Sequence, residues 1–568
     1  MRKIAFAIAA VMVLALTACV TQVEEIQVSA TSAERYESLA KLGRVWGFVK
    51  YTHHAFLTGE RCWDEELMRL IPIISIADEA DVNSILYDWF VSLGYDGYDA
   101  GRRFSASARL QERQVADTSW ISEDYLGHLL ATQLQRFGGI FIPHRPNAPA
   151  TFSAGGFIEF PNQNPHPDMD FAAPHYRLLG LFRVWNAMKY YYPHIAIIDV
   201  CWNEVLVYYV AMMLDGTCRT SYERTLHAMT SHLRDGPHIS FSPSIFLGSF
   251  GSYPLPVLLA YAEGYIVVLG AFGEENPLQR GDIILSVNGR CIYEIAAERL
   301  RYLPAPTDEE ALAFFALRQR LLSHTSNVAA EVRRGVDEMS FHFDVVSILE
   351  STDFEWVDLP SHVLLDSNIG LINPGSLNDG DVQQIMEDFS DTDGIIIDLR
   401  QYPSSFTFFA EMRQYLMPNP PPFVHVSTPS RTLPGWRADS IAPINQNLPS
   451  RGAYVYIYDR PVVLLMNEET ISHGEWCVMA FRGAPNITVV GLNSMGSNGN
   501  IVRLPLPGGM TMTFTGLGVY TLDRGQTHFI GLEPDIRVKQ TVHGIADGRD
   551  EIMEAAILFI LSRSEDEE

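Results

Sequence analysis

Residues 461–482 read PVVLLMNEETISHGEWCVMAFR, an apolar run, a polar turn and then a second apolar run. The first run predicts a buried strand and the second a helix, an order typical of a parallel sheet covered by helices. Ser472 follows the strand directly, at the edge where such sheets place their active loops. The stretch therefore predicts an α/β core with Ser472 at its functional edge.

Ser472 and Glu475 have the spacing Ser-x-x-Glu, which allows two interpretations. A pair of this kind ahead of an apolar run is a capping box, in which each side chain bonds the other residue's backbone N–H. A serine on a tight strand-to-helix turn can equally be a nucleophile, with free N–H groups beside it to hold an oxyanion. The local pattern leaves both open, and both hold together if Glu475 bonds backbone while the Ser472 hydroxyl faces a cleft.

The same alternation continues on both sides of this stretch. Strands are predicted for IGLI, GIIIDLR and ITVVGLN, and helices for DVQQIMEDF and FAEMRQYLM. Earlier, from about residue 250, short β runs are separated by turn residues. With 568 residues, 47% of them hydrophobic, the chain should form about three or four domains.

An internal repeat precedes the β runs. RVWGFVKY at 44–51 returns as RVWNAMKY at 183–190, and Cys62-Trp63 returns as Cys201-Trp202, at one offset of 139 residues (183 − 44). Apolar residues at three- and four-residue spacing predict a buried helix face in each copy: Leu42, Val45, Trp46 and Val49, then Leu181, Val184, Trp185 and Met188. The repeated Arg, Trp and Tyr are most simply packing residues.

The first residues have the layout of a bacterial secretory signal, with Arg2 and Lys3 ahead of an apolar stretch at 4–16. Leu16-Thr17-Ala18-Cys19 resembles a lipobox, which implies a lipid on Cys19; an ordinary signal with a chance cysteine is the alternative. We expect a lipid-anchored protein of the bacterial cell envelope, at the outer membrane and facing the periplasm or the cell surface. No other stretch looks long and apolar enough to span a bilayer.

Charge and cysteine content exclude some functions. The formal net charge of −27 argues against a nucleic-acid partner, because phosphate binding needs a basic surface. The remaining cysteines form no C-x-x-C pair, so a zinc cluster is not expected, and most should be buried as small hydrophobic residues. The scattered histidines are typical of turns rather than metal ligands. No metal and no cofactor is predicted.

Residues 278–289, LQRGDIILSVNG, closely resemble the signature of a PDZ domain, which takes up an extended peptide at a sheet edge. Another small β-barrel is the alternative. Further motifs lie downstream in a specific order: GIIIDLR at 394–400, NEETISHGE at 467–475, VG at 490–491, LPGG at 506–509 and GLEPDI at 531–536. Together they resemble the C-terminal-processing and tricorn-core family of serine peptidases, from about 230 to 545. The doubled helical unit resembles the version found in lipoproteins of Bacteroidetes-type bacteria.

The resemblance implies a multidomain α+β chain with duplicated N-terminal helical units, a PDZ-like β domain and a crotonase-like (ClpP/crotonase type) α/β peptidase core. The expected boundaries are a lipoprotein signal at 1–19, a first helical unit at 20–145, an extended linker at 146–174, a second helical unit at 175–248, a PDZ-like domain at 249–350 and the peptidase core at 355–568.

The family also implies site residues. Its Thr-x-Ser-x-x-Glu motif makes Ser472 the nucleophile, supported by Glu475. One branch takes its base from a lysine about 25 residues later, where this chain has Ser497. The tricorn-like branch instead uses a histidine from an Asp-x-His turn, which implies His238 as general base and proton donor, supported by Asp235. The turn here, HLRDGPHISF at 232–241, has one residue more than that form.

Two positions depart from the family pattern. The oxyanion loop is QYPSS at 401–405, where Pro403 has no N–H, so we expect the N–H of Ser404 to act together with that of His473. The glutamate that orients the catalytic pair in the tricorn-like branch is replaced by QTHF at 526–529. The orienting carboxylate is therefore unassigned.

The sequence thus predicts a lipid-anchored serine endopeptidase that cleaves peptides or unfolded protein tails through an acyl-enzyme on Ser472, with His238 as base. Two alternatives stay open. One is a catalytically inactive, PDZ-containing lipoprotein that binds peptides in the envelope, and the other is a serine hydrolase of non-peptide esters. The oligomeric state and the cleavage preference are not predicted.

Overall fold

The computed structural model describes residues 30–94, 112–138, 142, 144–273, 275–305, 311–318, 321–347, 359–442 and 456–565. Over these ranges the chain is a mixed α+β protein of several domains, helical at first, then mainly β, then α/β. The predicted signal segment and Cys19 lie outside the described residues. None of the helices in the described ranges has the length and apolar character needed to cross a membrane.

The N-terminal region is helical and shares one large hydrophobic core. Its helices are α1 (Ala30–Thr52), α2 (His54–Leu57), α3 (Trp63–Ile74), α4 (Glu79–Ser92), α5 (Glu123–Phe137), α6 (Pro174–Tyr191), α7 (Trp202–Asp215) and α8 (Arg219–Ser231). The short strands β1 (Glu112–Gln114), β2 (Thr151–Phe152) and β3 (Ile158–Glu159) lie between them, and β2 and β3 form a hairpin within the predicted linker. The eight apolar residues predicted for the two helix faces are fully buried, which confirms the helical pattern.

The two repeat units make matching contacts. In each unit the indole N–H of the repeated tryptophan donates to the carbonyl of the tryptophan in the Cys-Trp pair, at 2.7 Å. The repeated arginines cross between units: Arg183 donates to Asp64 Oδ2 at 2.9 Å, and Arg44 donates to the carbonyl of Asn203 at 2.7 Å. Asp64 and Asn203 occupy the same place after the Cys-Trp pair. Each unit therefore completes the polar contacts of the other.

Helices α1 and α6 cross closely because two glycines of α1 lie opposite bulky side chains of α6. A Cβ on Gly43 would lie 2.6 Å from the ring of Phe182, and one on Gly47 would lie 2.0 Å from Oδ1 of Asn186. The amide group of Asn186 donates to the carbonyl of Gly43 at 3.0 Å. The absence of a side chain at both glycines is what lets the backbones approach.

The middle region is an antiparallel sheet with two helices. Its elements are β4 (Ser240–Ser242), β5 (Tyr253–Pro254), β6 (Val257–Ala262), β7 (Tyr265–Ala271), β8 (Ile283–Val287), β9 (Arg290–Cys291), α9 (Ile292–Leu300), α10 (Ala311–Arg318), β10 (Leu322–Ser323), β11 (Asn327–Arg334) and β12 (Asp337–Asp344). The sheet order is β12-β11-β8-β7-β6, with β9 beside β8. The LQRGDIILSVNG motif supplies β8 and its flanking turns, where Gly281 has a φ of 87° and Asn288 a φ of 50°. These left-handed positions account for the glycine and asparagine of the motif.

The prediction that most cysteines are buried is wrong. Of the five described cysteines only Cys477 is buried, and the other four are exposed: Cys62, Cys201, Cys218 and Cys291. Each exposed cysteine is the residue that precedes a helix, namely α3, α7, α8 or α9. A residue at that boundary lies on a surface turn, so its burial follows from the turn and not from its hydrophobicity.

The C-terminal region is an α/β unit. It contains β13 (His362–Leu364), β14 (Ile369–Ile372), α11 (Val382–Asp388), β15 (Gly394–Asp398), α12 (Phe408–Leu416), β16 (Val424–Pro429), β17 (Trp436–Ile441), β18 (Val462–Met466), α13 (His473–Phe481), β19 (Ile487–Gly491), β20 (Ile501–Leu506), β21 (Met510–Thr515), β22 (Gly518–Thr521), β23 (Ile536–Arg537), α14 (Val542–Ala546) and α15 (Glu551–Glu565). The central sheet has the order β13-β14-β15-β18-β19-β23. Its pairs from β14 to β23 are parallel, as predicted.

Both faces of the central sheet are covered, which explains why its strands are continuously apolar. Alternate residues of β18 go to opposite sides: Val462 and Leu464 join the core with α11, α12 and α13. Val463 and Leu465 join the core with α15. The two cores fix the position of β18, and they therefore also fix where the following turn begins.

One part of the C-terminal region leaves this unit and packs with the N-terminal helices. Apolar side chains of the hairpin β20–β21 belong to the helical core, and β4 pairs with β21 to complete a three-stranded sheet. In the opposite direction, β1 pairs with β17. The expected division between a helical region and a separate core at 355–568 therefore does not describe residues 501–515.

We expect Gly47→Ala to destabilise the helical region by about 1–3 kcal/mol, because the added methyl group meets buried Asn186. Urea denaturation followed by tryptophan fluorescence measures this as a lower midpoint. Gly248→Ala is the matched control, since a Cβ there meets nothing within 4 Å. Equal midpoints for both variants would contradict the close crossing of α1 and α6.

Candidate active site

Ser472 lies in the turn between β18 and α13, at the carboxyl end of a central parallel strand. Its backbone has a φ of 49° and a ψ of −110°, a combination that residues with a side chain rarely adopt. Below it, the hydroxyl of Thr470 donates to the carbonyl of Leu399 at 3.0 Å and fastens the turn to the end of β15. Strained backbone held in this way is typical of functional turns.

The capping box does not form. Ser472 makes no side-chain capping bond, because its backbone is not in the extended conformation of a capping residue. The fully buried Glu475 turns to a loop instead, where its Oε1 accepts three hydrogen bonds. The donors are the hydroxyl of Ser494 at 2.8 Å, the amide of Gly496 at 2.7 Å and the amide of Ser497 at 3.3 Å. The capping interpretation of the Ser-x-x-Glu spacing is therefore wrong.

The loop that Glu475 holds is joined to the turn of Ser472. The amide of Ser472 donates to the carbonyl of Ser497 at 2.8 Å, and the amide of Met495 donates to the carbonyl of Thr470 at 3.0 Å. Glu475 therefore sets the position of the loop, and the loop sets the backbone of Ser472.

His238 ends a 3₁₀ turn, Gly236–His238, that follows Asp235. This turn takes up the extra residue of the sequence motif, and it needs Gly236, which has a φ of 60° and lies against Ser497. The pairing of β4 with β21 then carries His238 alongside Thr515. The imidazole is buried, with 3% of the residue exposed.

Two hydroxyl groups approach Nδ1 of His238, that of Thr515 at 2.7 Å and that of Ser497 at 3.1 Å. Within the described part of the chain, Nε2 of His238 has no hydrogen-bond partner, and none joins it to Ser472. Ser497 nevertheless contacts both residues, through its carbonyl and its hydroxyl. Burial lowers the pKa of His238 to about 4, so the ring is neutral at pH 7, as a general base must be.

Asp235 does not contact the ring of His238 directly. Its fully buried carboxyl group accepts the amide N–H of Thr515 at 2.8 Å and lies 3.4 Å from Nε2 of His528. Burial raises the pKa of Asp235 to about 7, against the opposing effect of the hydrogen bond from the backbone amide of Thr515. The site therefore contains a buried acid that is separated in space from the ring of His238 by one residue, Thr515.

Sequence reasoning missed the histidines behind this acid. His528 stacks on His194 with ring centroids 3.7 Å apart, and Nε2 of His528 lies 2.9 Å from the hydroxyl of Tyr192. Burial keeps the pKa of both histidines well below the usual value. The one available signal was the QTHF stretch, where the family's glutamate is replaced and where His528 stands.

The two predicted oxyanion donors differ in the structure. The amide of His473, the first residue of α13, has no acceptor within the described ranges and remains available. The amide of Ser404 donates to the carbonyl of Pro374 at 3.0 Å, and its hydroxyl also bonds Pro374 and Leu377. The expectation for Ser404 is therefore contradicted, because its N–H is already used to anchor its own loop.

An aromatic group lies beside the turn of Ser472. The ring of His473 is 5.4 Å from Phe406 and 6.4 Å from Tyr402, and its Nε2 lies 3.1 Å from the carbonyl of Ser405. Phe406 is 71% exposed and Tyr402 47% exposed, which is unusual for such large apolar rings. No group of three or more His, Cys, Asp and Glu side chains suited to a metal ion occurs in the described ranges.

The comparisons agree with this architecture. The sequence profile of Peptidase family S41 matches residues 368–538. A comparison with curated proteins finds no match. Among solved structures, mature CPAF complexed with lactacystin is 13% identical, with a TM-score of 0.52 over 68% of this chain and 97% of that chain. Mature CPAF by itself is 14% identical, with a TM-score of 0.52 over 68% of this chain and 96% of that chain.

A third solved structure, the photosystem II D1 C-terminal processing protease, is 15% identical, with a TM-score of 0.36 over 66% of this chain and 99% of that chain. The likeness to mature CPAF concerns the fold, and the matched segment 368–538 contains Ser472 but not His238. The motif-based resemblance to the C-terminal-processing peptidases is confirmed. Residues 368–538 of this chain are therefore similar to peptidase family S41.

Proposed function

We propose that this chain is a serine endopeptidase that cleaves peptides or unfolded protein tails, with Ser472 as nucleophile and His238 as general base. One observation carries the proposal. Ser497 accepts the amide N–H of Ser472 at its carbonyl, and its hydroxyl lies within hydrogen-bond distance of Nδ1 of His238. Ser472 and His238, which are far apart in sequence, therefore both contact Ser497. The match of residues 368–538 to a peptidase family supports the choice of peptide as substrate.

In the proposed reaction Oγ of Ser472 attacks the carbonyl carbon of the scissile amide, and its proton passes to Nε2 of His238. The tetrahedral intermediate collapses when Nε2 returns that proton to the leaving amine, which frees the amine and leaves an acyl-enzyme ester. Water, deprotonated by the same nitrogen, then hydrolyses the ester. The amide of His473 at the N-terminus of α13 is the oxyanion donor that we assign.

Further parts of the chain fit this activity. We interpret the β domain at 253–345 as a PDZ-type module that adds an extended substrate to one edge of its sheet, and the C-terminal region as a crotonase-type core. The exposed rings of Tyr402 and Phe406 would contact an apolar substrate side chain next to the scissile bond. The lipid on Cys19 would tether the enzyme to the cell envelope, at the outer membrane.

The proposal predicts that a fluorophosphonate probe labels the purified chain lacking residues 1–19. Ser472→Ala should abolish labelling, and His238→Ala should slow it by about 10²-fold or more, because an unassisted serine is a weak nucleophile. His227→Ala is the matched control, since His227 is similarly buried and its pKa is also lowered to about 4. The rate of labelling is followed by in-gel fluorescence.

Labelling that persists in Ser472→Ala would refute the assignment of the nucleophile. An intact wild-type protein that takes no label, with or without a bound peptide, would refute the peptidase and leave peptide binding by the β domain. Comparing peptide with small-ester hydrolysis separates the endopeptidase from an esterase.

The lowered pKa of His238 predicts the acid limb of the pH profile. A base must be neutral to accept a proton, so labelling should still be measurable at about pH 5.5 and should fall as the pH drops through about 4. An unperturbed histidine would lose the activity near pH 6.5 instead. Stopped labelling reactions of Asp235→Asn, in which the neighbouring acid with a pKa of about 7 can no longer titrate, measure this midpoint, and a midpoint near 6.5 would exclude a buried His238 as the base.

A further inference from the structure

The hydroxyl groups around His238 determine which ring nitrogen carries the proton. A serine hydroxyl has one proton to donate. The hydroxyl of Ser497 lies 3.0 Å from the backbone carbonyl of Asp235, which can only accept, and 3.1 Å from Nδ1 of His238. The proton of Ser497 therefore goes to the carbonyl, and Ser497 accepts a hydrogen bond from Nδ1–H.

The hydroxyl of Thr515 is compatible with the same assignment. It lies 2.7 Å from Nδ1 of His238, and the amide N–H of the same residue donates to Oδ2 of Asp235 at 2.8 Å. Since Ser497 places the ring proton on Nδ1, the Thr515 oxygen also accepts from Nδ1–H. The lone pair of Nε2 is then left for the proton of Ser472.

Asp235 also has polar neighbours other than Thr515. Nε2 of His528 lies 3.4 Å from Oδ1 of Asp235 and 2.9 Å from the hydroxyl of Tyr192. The hydroxyl of Tyr192 donates to the carbonyl of Leu233.

We infer that Asp235 is the carboxylate that orients His238, and that it acts through Thr515. Asp235 and Thr515 are positioning residues for the proposed reaction, so the inference rests on the proposed function. The carboxylate of Asp235 accepts the amide N–H of Thr515 and so holds Thr515 where its Oγ1 accepts from Nδ1–H of His238. Ser497 holds the same tautomer from the other side.

The arrangement also stabilises the charge that catalysis creates. When Nε2 takes the proton of Ser472, the ring becomes an imidazolium, and its positive charge faces the carboxylate across Thr515, which contacts both groups. The other titratable groups around Asp235 are Tyr192, His528 and, stacked on His528, His194, and burial keeps all three neutral near pH 7. The carboxylate is thus the charge available to the ring.

The test compares fluorophosphonate labelling rates of the wild type, Thr515→Val, Thr515→Ser and Asp235→Asn between about pH 4 and pH 9. Valine keeps the shape of threonine but has no hydroxyl, so Thr515→Val and Asp235→Asn should each slow labelling at about pH 8 by on the order of 10²-fold. Thr515→Ser should restore most of the rate. Thr511→Val is the control, because Thr511 lies on the same strand and is partly exposed.

The pH profile separates positioning from a general loss of structure. Since burial raises the pKa of Asp235 to about 7, the wild-type rate should rise as the pH passes that value, and this step should be absent from Asp235→Asn and Thr515→Val. If Thr515→Val does not fold, Asp235→Asn, which keeps the hydrogen-bonding shape, decides the question.

A labelled wild type whose rate and profile are matched within about 2-fold by both variants would overturn the inference and leave the proposed function standing. A wild type that takes no label would overturn both.

Discussion

The site depends on one buried carboxylate, that of Glu475. A carboxylate removed from water must be satisfied by hydrogen bonds, and Oε1 of Glu475 accepts from Ser494, Gly496 and Ser497. Leaving these three donors without an acceptor would cost about 1–3 kcal/mol for each buried group. These three residues belong to one loop, and Ser497 of that loop bonds both the backbone of Ser472 and the ring of His238. The position of the loop therefore fixes the positions of both residues.

The duplicated helical units have a structural part in this arrangement. Their shared core encloses the hairpin β20–β21 as well as the helices, and β21 supplies Thr515 while its partner β4 follows His238. The crossed arginines, with Arg183 on Asp64 and Arg44 on Asn203, fix the two units against each other. The helical core and the β4–β21 pairing thus fix the position of the proposed base relative to the α/β region that carries the proposed nucleophile.

Much of the fold could be predicted from local patterns, because β18, the turn of Ser472 and α13 follow one another in sequence and both helix faces of the repeat show a regular spacing. The failures involve long-range contacts. The amide of Ser404 is taken by Pro374, Glu475 turns to the loop of Ser497 instead of capping α13, and Thr515 meets Asp235 across 280 positions. No spacing rule encodes such contacts, and the last of them arises only when β4 pairs with β21.

A crystal structure of the protein after reaction with a phosphonate inhibitor tests the central claim most directly. We expect phosphorus bonded to Oγ of Ser472, Nε2 of His238 within about 3 Å of the adduct, and the amide of His473 donating to the phosphonyl oxygen. Nδ1 of His238 would still face Thr515 and Ser497. An adduct on another residue, or a His238 ring turned away from Ser472 with the adduct in place, would contradict it.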